Sequence, residues 1–220
     1  EPMSRSLTAI FVLAVGALIH SGCNLTNCRS GSGPVVVTTM DLEEFRGIVL
    51  HGSFDVEWRS GSTQQVEVHA QEGLAELLET TVSSGTWHIR TTECVRYDGT
   101  FLIKITSPGL EGIAIKGSGN ATAIDTLVAK ALGLSVQGSG DIAASVRAGK
   151  VDANIQGSGD IRLGGTFDDL VAIVQGSGDI KSAELISGKA TAAIQGSGDI
   201  QLNTSGTLDA RIMGSGDIRY

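Results

Sequence analysis

Gln156-Gly157-Ser158-Gly159-Asp160-Ile161 is the stretch on which the fold turns. Its Gly-Ser-Gly-Asp-Ile core recurs at Gly138, Gly157, Gly176, Gly196 and Gly214, with a variant Gly-Ser-Gly-Asn-Ala at Gly117, at successive intervals of 21, 19, 19, 20 and 18 residues. A period near 19 is shorter than tetratricopeptide, ankyrin or propeller repeats and lacks the leucine/asparagine pattern of leucine-rich repeats. It suits one coil of a β-solenoid. Two residues before each first glycine stand Ile115, Val136, Ile155, Val174, Ile194 and Ile212, and four before stand Ile113, Leu134, Ala153, Ala172, Ala192 and Ala210. Six before stand Leu132, Val151, Leu170, Ala190 and Leu208. This alternation is that of a strand with one buried face. After the corner, Ile142, Ile161, Ile180, Ile200 and Ile218 follow the acid, with Leu163 and Leu202 two residues further on.

The expected architecture is therefore all-β, a right-handed parallel β-helix with coils of about 19 residues. The paired glycines allow positive φ and close approach of one coil's backbone to the next. Asp141, Asp160, Asp179, Asp199 and Asp217 are read as structural turn residues that cap their own corner in the manner of Asx turns. Gln137, Gln156, Gln175 and Gln195, just before the glycine, are expected to bond from coil to coil as glutamine ladders do.

Working outward, residues 35–112 also read as strands broken by Gly/Ser turns, an irregular β-rich part preceding the repeat at 113–220. Val35–Val37, Ile48–Trp58, Val66–Val68, Trp87–Ile89 and Phe101–Ile105 are the β-rich runs, and Glu72–Glu79 alone has helical composition. His51-Gly52-Ser53-Phe54-Asp55-Val56 is a degenerate copy of the repeat, so the stacking is expected to begin before residue 113.

The first residues read as an address. Arg5 precedes Ala9–Ile19, an uncharged apolar run too short to span a hydrocarbon core of about 30 Å as a helix. Ser21-Gly22-Cys23 resembles the site at which a bacterial lipoprotein is cut and lipidated, although His20 departs from that pattern. Residues 1–22 are thus expected to be a lipoprotein-type signal peptide, Cys23 the lipidated residue and 23–34 a linker. Glu1 and Pro2 precede Met3 and read as an upstream remnant. With Cys23 lipidated, Cys28 and Cys94 remain as a pair for a disulfide in an oxidising compartment.

Composition narrows the function. With 30 glycines, 3 prolines and 4% aromatic residues, the chain resembles neither collagen nor a proline-rich tail. A net charge of −8 argues against nucleic acid, whose phosphates call for a basic face. No Cys-x-x-Cys or cysteine/histidine cluster points to a metal, and no cofactor is expected. His51, His69 and His88 lie in strand-like context and read as ordinary polar-face residues.

The order Phe45-Arg46-Gly47-Ile48, Gly52-Ser53-Phe54-Asp55-Val56, Ser107-Pro108-Gly109-Leu110 and then the Gly-Ser-Gly-Asp run resembles the auto-transporter adhesin, head GIN domain family of exported bacterial proteins. That resemblance implies an all-β solenoid-like fold, an envelope location and an adhesive role, with no catalytic residues to transfer. The expectation is a non-enzymatic binding module for an unidentified envelope ligand, protein or glycan, that meets a membrane only through its lipid. Two alternatives stand beside it. A calcium-stabilised β-roll would use the repeated aspartates, and a polysaccharide-acting β-helix enzyme would need acids and bases gathered in one groove. Because Tyr220 follows directly on a repeat, the top coil is expected to be a truncation or an edge capped by a partner.

Overall fold

A computed structural model describes residues 28–220, apart from the side chains of 183–186; the signal-peptide reading and Cys23 lie outside the described residues. Among these residues there is no α-helix. Long strands, Leu127–Gly138, Ile142–Gly157, Ile161–Gly176, Ile180–Gly196 and Ile200–Gly214, stack in parallel, the last four each running from one Gly-Ser-Gly-Asp corner to the next. The chain is a β-solenoid.

The register places like residue over like. Ile142, Ile161, Ile180, Ile200 and Ile218 are successive partners in one row. The first four are fully buried, whereas Ile218, in the last described coil, is half-buried. A second row joins Ile48, Ile113, Leu134, Ala153, Ala172, Ala192 and Ala210, and a third joins Leu50, Ile115, Val136, Ile155, Val174, Ile194 and Ile212. Ile212 is 45% exposed because no described coil covers it. Among the described side chains of the long strands two interior places are polar: Ser182 and Ser187 are buried, and their hydroxyls donate to the carbonyls of Gln201 and Asn203 in the next coil. That bonding makes hydroxyls tolerable in an apolar column.

The stacking begins with the degenerate copy. Gly47–Gly52 lies in register beneath Gly112–Gly117, and Val56 beneath Ala121. Phe54 stands where later coils carry the second glycine. Its ring packs on Phe101, centroids 4.9 Å apart, with Tyr97 edge-on to Phe101. Below this coil the sheet turns antiparallel on one side, where Leu102–Ser107 pairs with Gln65–Glu72 and that strand with Ser32–Met40. Trp58 and Trp87 seal this base, each buried with its indole N–H satisfied, by Ser107 Oγ and by the Glu79 carbonyl, both at 2.8 Å. Such pairing lets a large aromatic sit inside a core.

The helical expectation for Glu72–Glu79 is corrected. Only Ala75–Leu77 forms a 3-10 turn. Gly73, at φ +77°, breaks the segment from the preceding strand, and Leu74, Ala75 and Leu78 are drawn into the base as a plug.

Burial of one isoleucine is worth roughly 1.5–3 kcal/mol, and truncation to alanine costs about 2–5 kcal/mol once the cavity is counted. Ile180→Ala is therefore expected to lower the melting temperature far more than Gln175→Ala, whose side chain is exposed. Equal shifts in a thermal melt would contradict the register.

Candidate functional site

The repeated corner is built by backbone before side chains. At Gly138 φ is +132°, and a Cβ there would overlap the carbonyl of Gly117 in the coil below. A Cβ on Gly140 would overlap the carbonyl of Gly119. This close approach lets the Gly117 carbonyl accept from the N–H groups of both Ser139 and Gly140, at 3.0 and 3.2 Å, and the pattern repeats upward. The next N–H, that of the aspartate, has no carbonyl to meet. The carboxylate of the coil below meets it instead. Asp160 N–H donates to Asp141 Oδ1 at 2.9 Å, Asp179 to Asp160 at 3.0 Å, Asp199 to Asp179 at 2.9 Å and Asp217 to Asp199 at 3.0 Å. At the foot, Asp55 Oδ1 accepts from both the N–H and the amide side chain of Asn120.

The Asx-turn reading is thereby corrected for four of the five: the carboxylates of Asp141, Asp160, Asp179 and Asp199 serve the coil above rather than their own turn. The second oxygens are held by cations. Arg162 spans Asp141 and Asp160 at 3.1 and 2.7 Å, Lys181 spans Asp160 and Asp179 at 3.8 and 3.0 Å, and Arg219 spans Asp199 and Asp217 at 3.1 and 2.8 Å. Burial raises the Asp179 pKa, but the Asp199 N–H and the Lys181 ammonium outweigh it and hold the carboxyl below its ordinary range. These cations escaped the sequence reading. Their signal was there, a basic residue two places after the aspartate, at Arg162, Lys181 and Arg219, but Ala143 and Gln201 interrupt it.

The glutamines behave in the opposite way. Gln137, Gln156, Gln175 and Gln195 are in register on the outer face directly above Lys116 and His51, and all four are exposed. Among the described residues none of these amides forms a side-chain hydrogen bond, which corrects the expected ladder. Amide ladders gain their strength in dry interfaces. Here water competes for every amide, leaving the column free to meet something else.

Two grooves border the stack. The larger, about 1290 Å³, lies at the far ends of the strands from the glycine corners and is bordered by Phe45, Arg46, Gln64, Glu111, Val128 and Lys130. Arg46 and Glu111 pair across it at 3.2 Å. Phe45-Arg46 and Ser107-Pro108-Gly109-Leu110 meet in this region as ties between coils: the Glu111 N–H donates to the Arg46 carbonyl, and Leu110 is buried. The smaller groove, about 710 Å³, runs beside the foot of the aspartate column past Ser53, Asp55, Tyr97, Asn120, Asp141 and Arg162.

The histidines separate. His51 and His88 touch, Nε2 to Nδ1 at 3.3 Å, while His69 lies 3.6 Å from Glu67. Cys28 and Cys94 are joined, with Cα atoms 4.6 Å apart, alongside the pairing of Arg29 and Ser30 with Val95 and Arg96. No group of three or more His, Cys, Asp or Glu among the described residues is disposed to hold a metal.

Since the oxygens of Asp141, Asp160, Asp179 and Asp199 are engaged by amides and, through the straps, by cations, calcium has little to gain there. Millimolar calcium is expected to leave the unfolding midpoint within about a degree of its value in chelator, because only a ligand of the folded state raises stability. A calcium-specific rise of several degrees, abolished by Asp160→Asn with Asp179→Asn, would contradict this.

Comparison with known proteins agrees with the geometry. The chain resembles the crystal structure of a putative adhesin from Bacteroides fragilis NCTC 9343 at 20% identity and a TM-score of 0.75, covering 86% of this chain and 98% of that one. It also resembles a putative lipid binding protein from Parabacteroides distasonis ATCC 8503, at 22% identity and a TM-score of 0.70 over 88% and 99% of the two chains. A putative adhesin from Parabacteroides merdae ATCC 43184 matches at 17% identity and a TM-score of 0.65 over 86% and 97%. At these identities the likeness is one of fold. No curated protein matches. The family described as putative auto-transporter adhesin, head GIN domain, matches residues 44–220, nearly the whole solenoid and its base, and the chain belongs to that family.

Proposed function

We propose that this chain is an exported envelope protein, anchored by lipid on Cys23, whose solenoid binds a surface or envelope ligand and catalyses nothing. The observation that carries the reading is the division between its two repeated polar columns. Asp141, Asp160, Asp179 and Asp199 are consumed by the fold, each accepting from the coil above, and a carboxylate so held is a poor general acid or base. The glutamines are in register, exposed and unengaged. Coils stack about 4.8 Å apart, so the face offers amide donors and acceptors at a fixed repeat to an extended ligand, a peptide strand or a glycan. Adhesin-like neighbours and the family's description support the binding reading. The Cys28–Cys94 bond supports an oxidising compartment, and the apolar run Ala9–Ile19 before Ser21-Gly22-Cys23 supports export with lipidation.

The chain, immobilised and screened against a glycan array and purified envelope proteins, is expected to bind a defined ligand and to lose it in the triple variant Gln137→Ala, Gln156→Ala, Gln175→Ala. The triple variant should melt with the wild type. Binding that survives the triple change would move the contact off this face. Anchoring is tested separately: in a Gram-negative host, Cys23→Ser is expected to shift the protein from the membrane pellet to the soluble periplasm, and an unchanged pellet fraction would refute lipidation there.

A further inference from the structure

The outer column that carries the glutamines ends, at the base, in different chemistry. His51 lies under Lys116 in that column. His88 projects from the strand beneath, on the row of Val49, two residues offset from His51. Diagonal neighbours of this kind are within reach of long side chains. The two rings span the gap, with centroids 5.6 Å apart and Nε2 of His51 facing Nδ1 of His88 at 3.3 Å. Among the described residues neither ring has another hydrogen-bond partner. Packing does not require the pair either, since both side chains stand on the outer face and are only half-buried.

The separation is the informative quantity. It is long for a hydrogen bond, beyond the roughly 2.7–3.2 Å of a good N–H···O bond. It equals the edge between two nitrogens bound to one tetrahedral ion, about 3.3–3.4 Å for metal–nitrogen bonds of roughly 2.0–2.1 Å. A small rotation of each ring would turn both lone pairs onto a single ion. We propose that His51 Nε2 and His88 Nδ1 form a two-imidazole site for a divalent transition-metal ion of the zinc and copper class, with water in the remaining positions. Imidazole suits those ions, and its neutral form is the one that ligates.

The surroundings set its strength. Burial, His88, Lys116 and Arg90 all lower the His51 pKa, and Glu79 opposes them. The same Lys116 and Arg90 repel a dication. Glu79, held by Arg90 at 2.8 Å, offsets part of that repulsion. The site is therefore open and of moderate affinity, and it stands independently of the glutamine-face reading.

Calorimetric titration of the full chain with Zn2+ alone near neutral pH tests it. Saturable one-to-one binding is expected, with a melting midpoint that rises with zinc. Both signals should be lost in His51→Gln and in His88→Gln and kept in His69→Gln and Cys23→Ser. With Cu2+, the electron paramagnetic resonance spectrum should show coupling to two nitrogens in the wild type and fewer in either single variant. Lys116→Gln, which removes a repelling charge and touches no ligand atom, should tighten binding several-fold. Absence of saturable binding, survival of binding in both histidine variants, or weaker binding in Lys116→Gln would overturn the proposal.

Discussion

Where each coil turns at Gly-Ser-Gly, one backbone rests directly on the next, and both glycines face a carbonyl that a Cβ would overlap. This contact sets the height and phase of every coil. With corners locked together, residues at equal distance from them must superpose, and so isoleucine meets isoleucine in the interior and glutamine meets glutamine outside. The same contact leaves the aspartate N–H without a carbonyl partner. A buried or half-buried amide without a partner costs about as much as a lost hydrogen bond, and the carboxylate one coil below removes that cost.

The arrangement creates an electrostatic problem and contains its solution. Like charges at coil spacing repel by roughly 1 kcal/mol per pair in water and more where solvent is excluded. Arg162, Lys181 and Arg219 each sit between two aspartates, and Asn120 replaces the acid where Asp55 stands below it. The Asp179–Asp199 step has Gln201 at the strap position and relies on the amide alone. An isolated exposed ion pair contributes little. A column of cations shared between neighbours does more, because each removes a repulsion as well as forming an attraction.

The base of the stack follows a different rule. Beneath the coil of Gly47–Ser60 no glycine corner follows, and Phe54 and Phe101 pack together at that place, while Trp58 and Trp87 fill the interior positions held above them by Ala123 and Ile48. Antiparallel strands and the Cys28–Cys94 bond close it. The outermost of these strands, Ser32–Met40, carries the exposed Val35–Val37. At the opposite end of the stack Ile212 and Met213 are exposed in the last described coil.

Period and alternation were legible in the chain itself. The spacing of Gly-Ser-Gly-Asp, the inward rows and even the degenerate copy at His51–Val56 could be read because each depends on residues a fixed number of positions apart, which is how a solenoid maps sequence onto space. The segment Glu72–Glu79 was not legible as a plug, since burial against the base outweighed its helical composition. Nor were the fates of the two polar columns. Whether Asp160 caps its own turn or holds Asp179, and whether Gln156 bonds Gln175 or faces water, depends on which groups lie one coil away and on solvent access. The contact between His51 and His88, 37 positions apart with no repeat to relate them, belongs to the same class. Sequence alone determined the coil and its interior. Tertiary structure decided which polar atoms are occupied and which are free, because hydrogen bonds and ion pairs are settled by distances of a few tenths of an ångström between coils, and those distances exist only once the stack has formed.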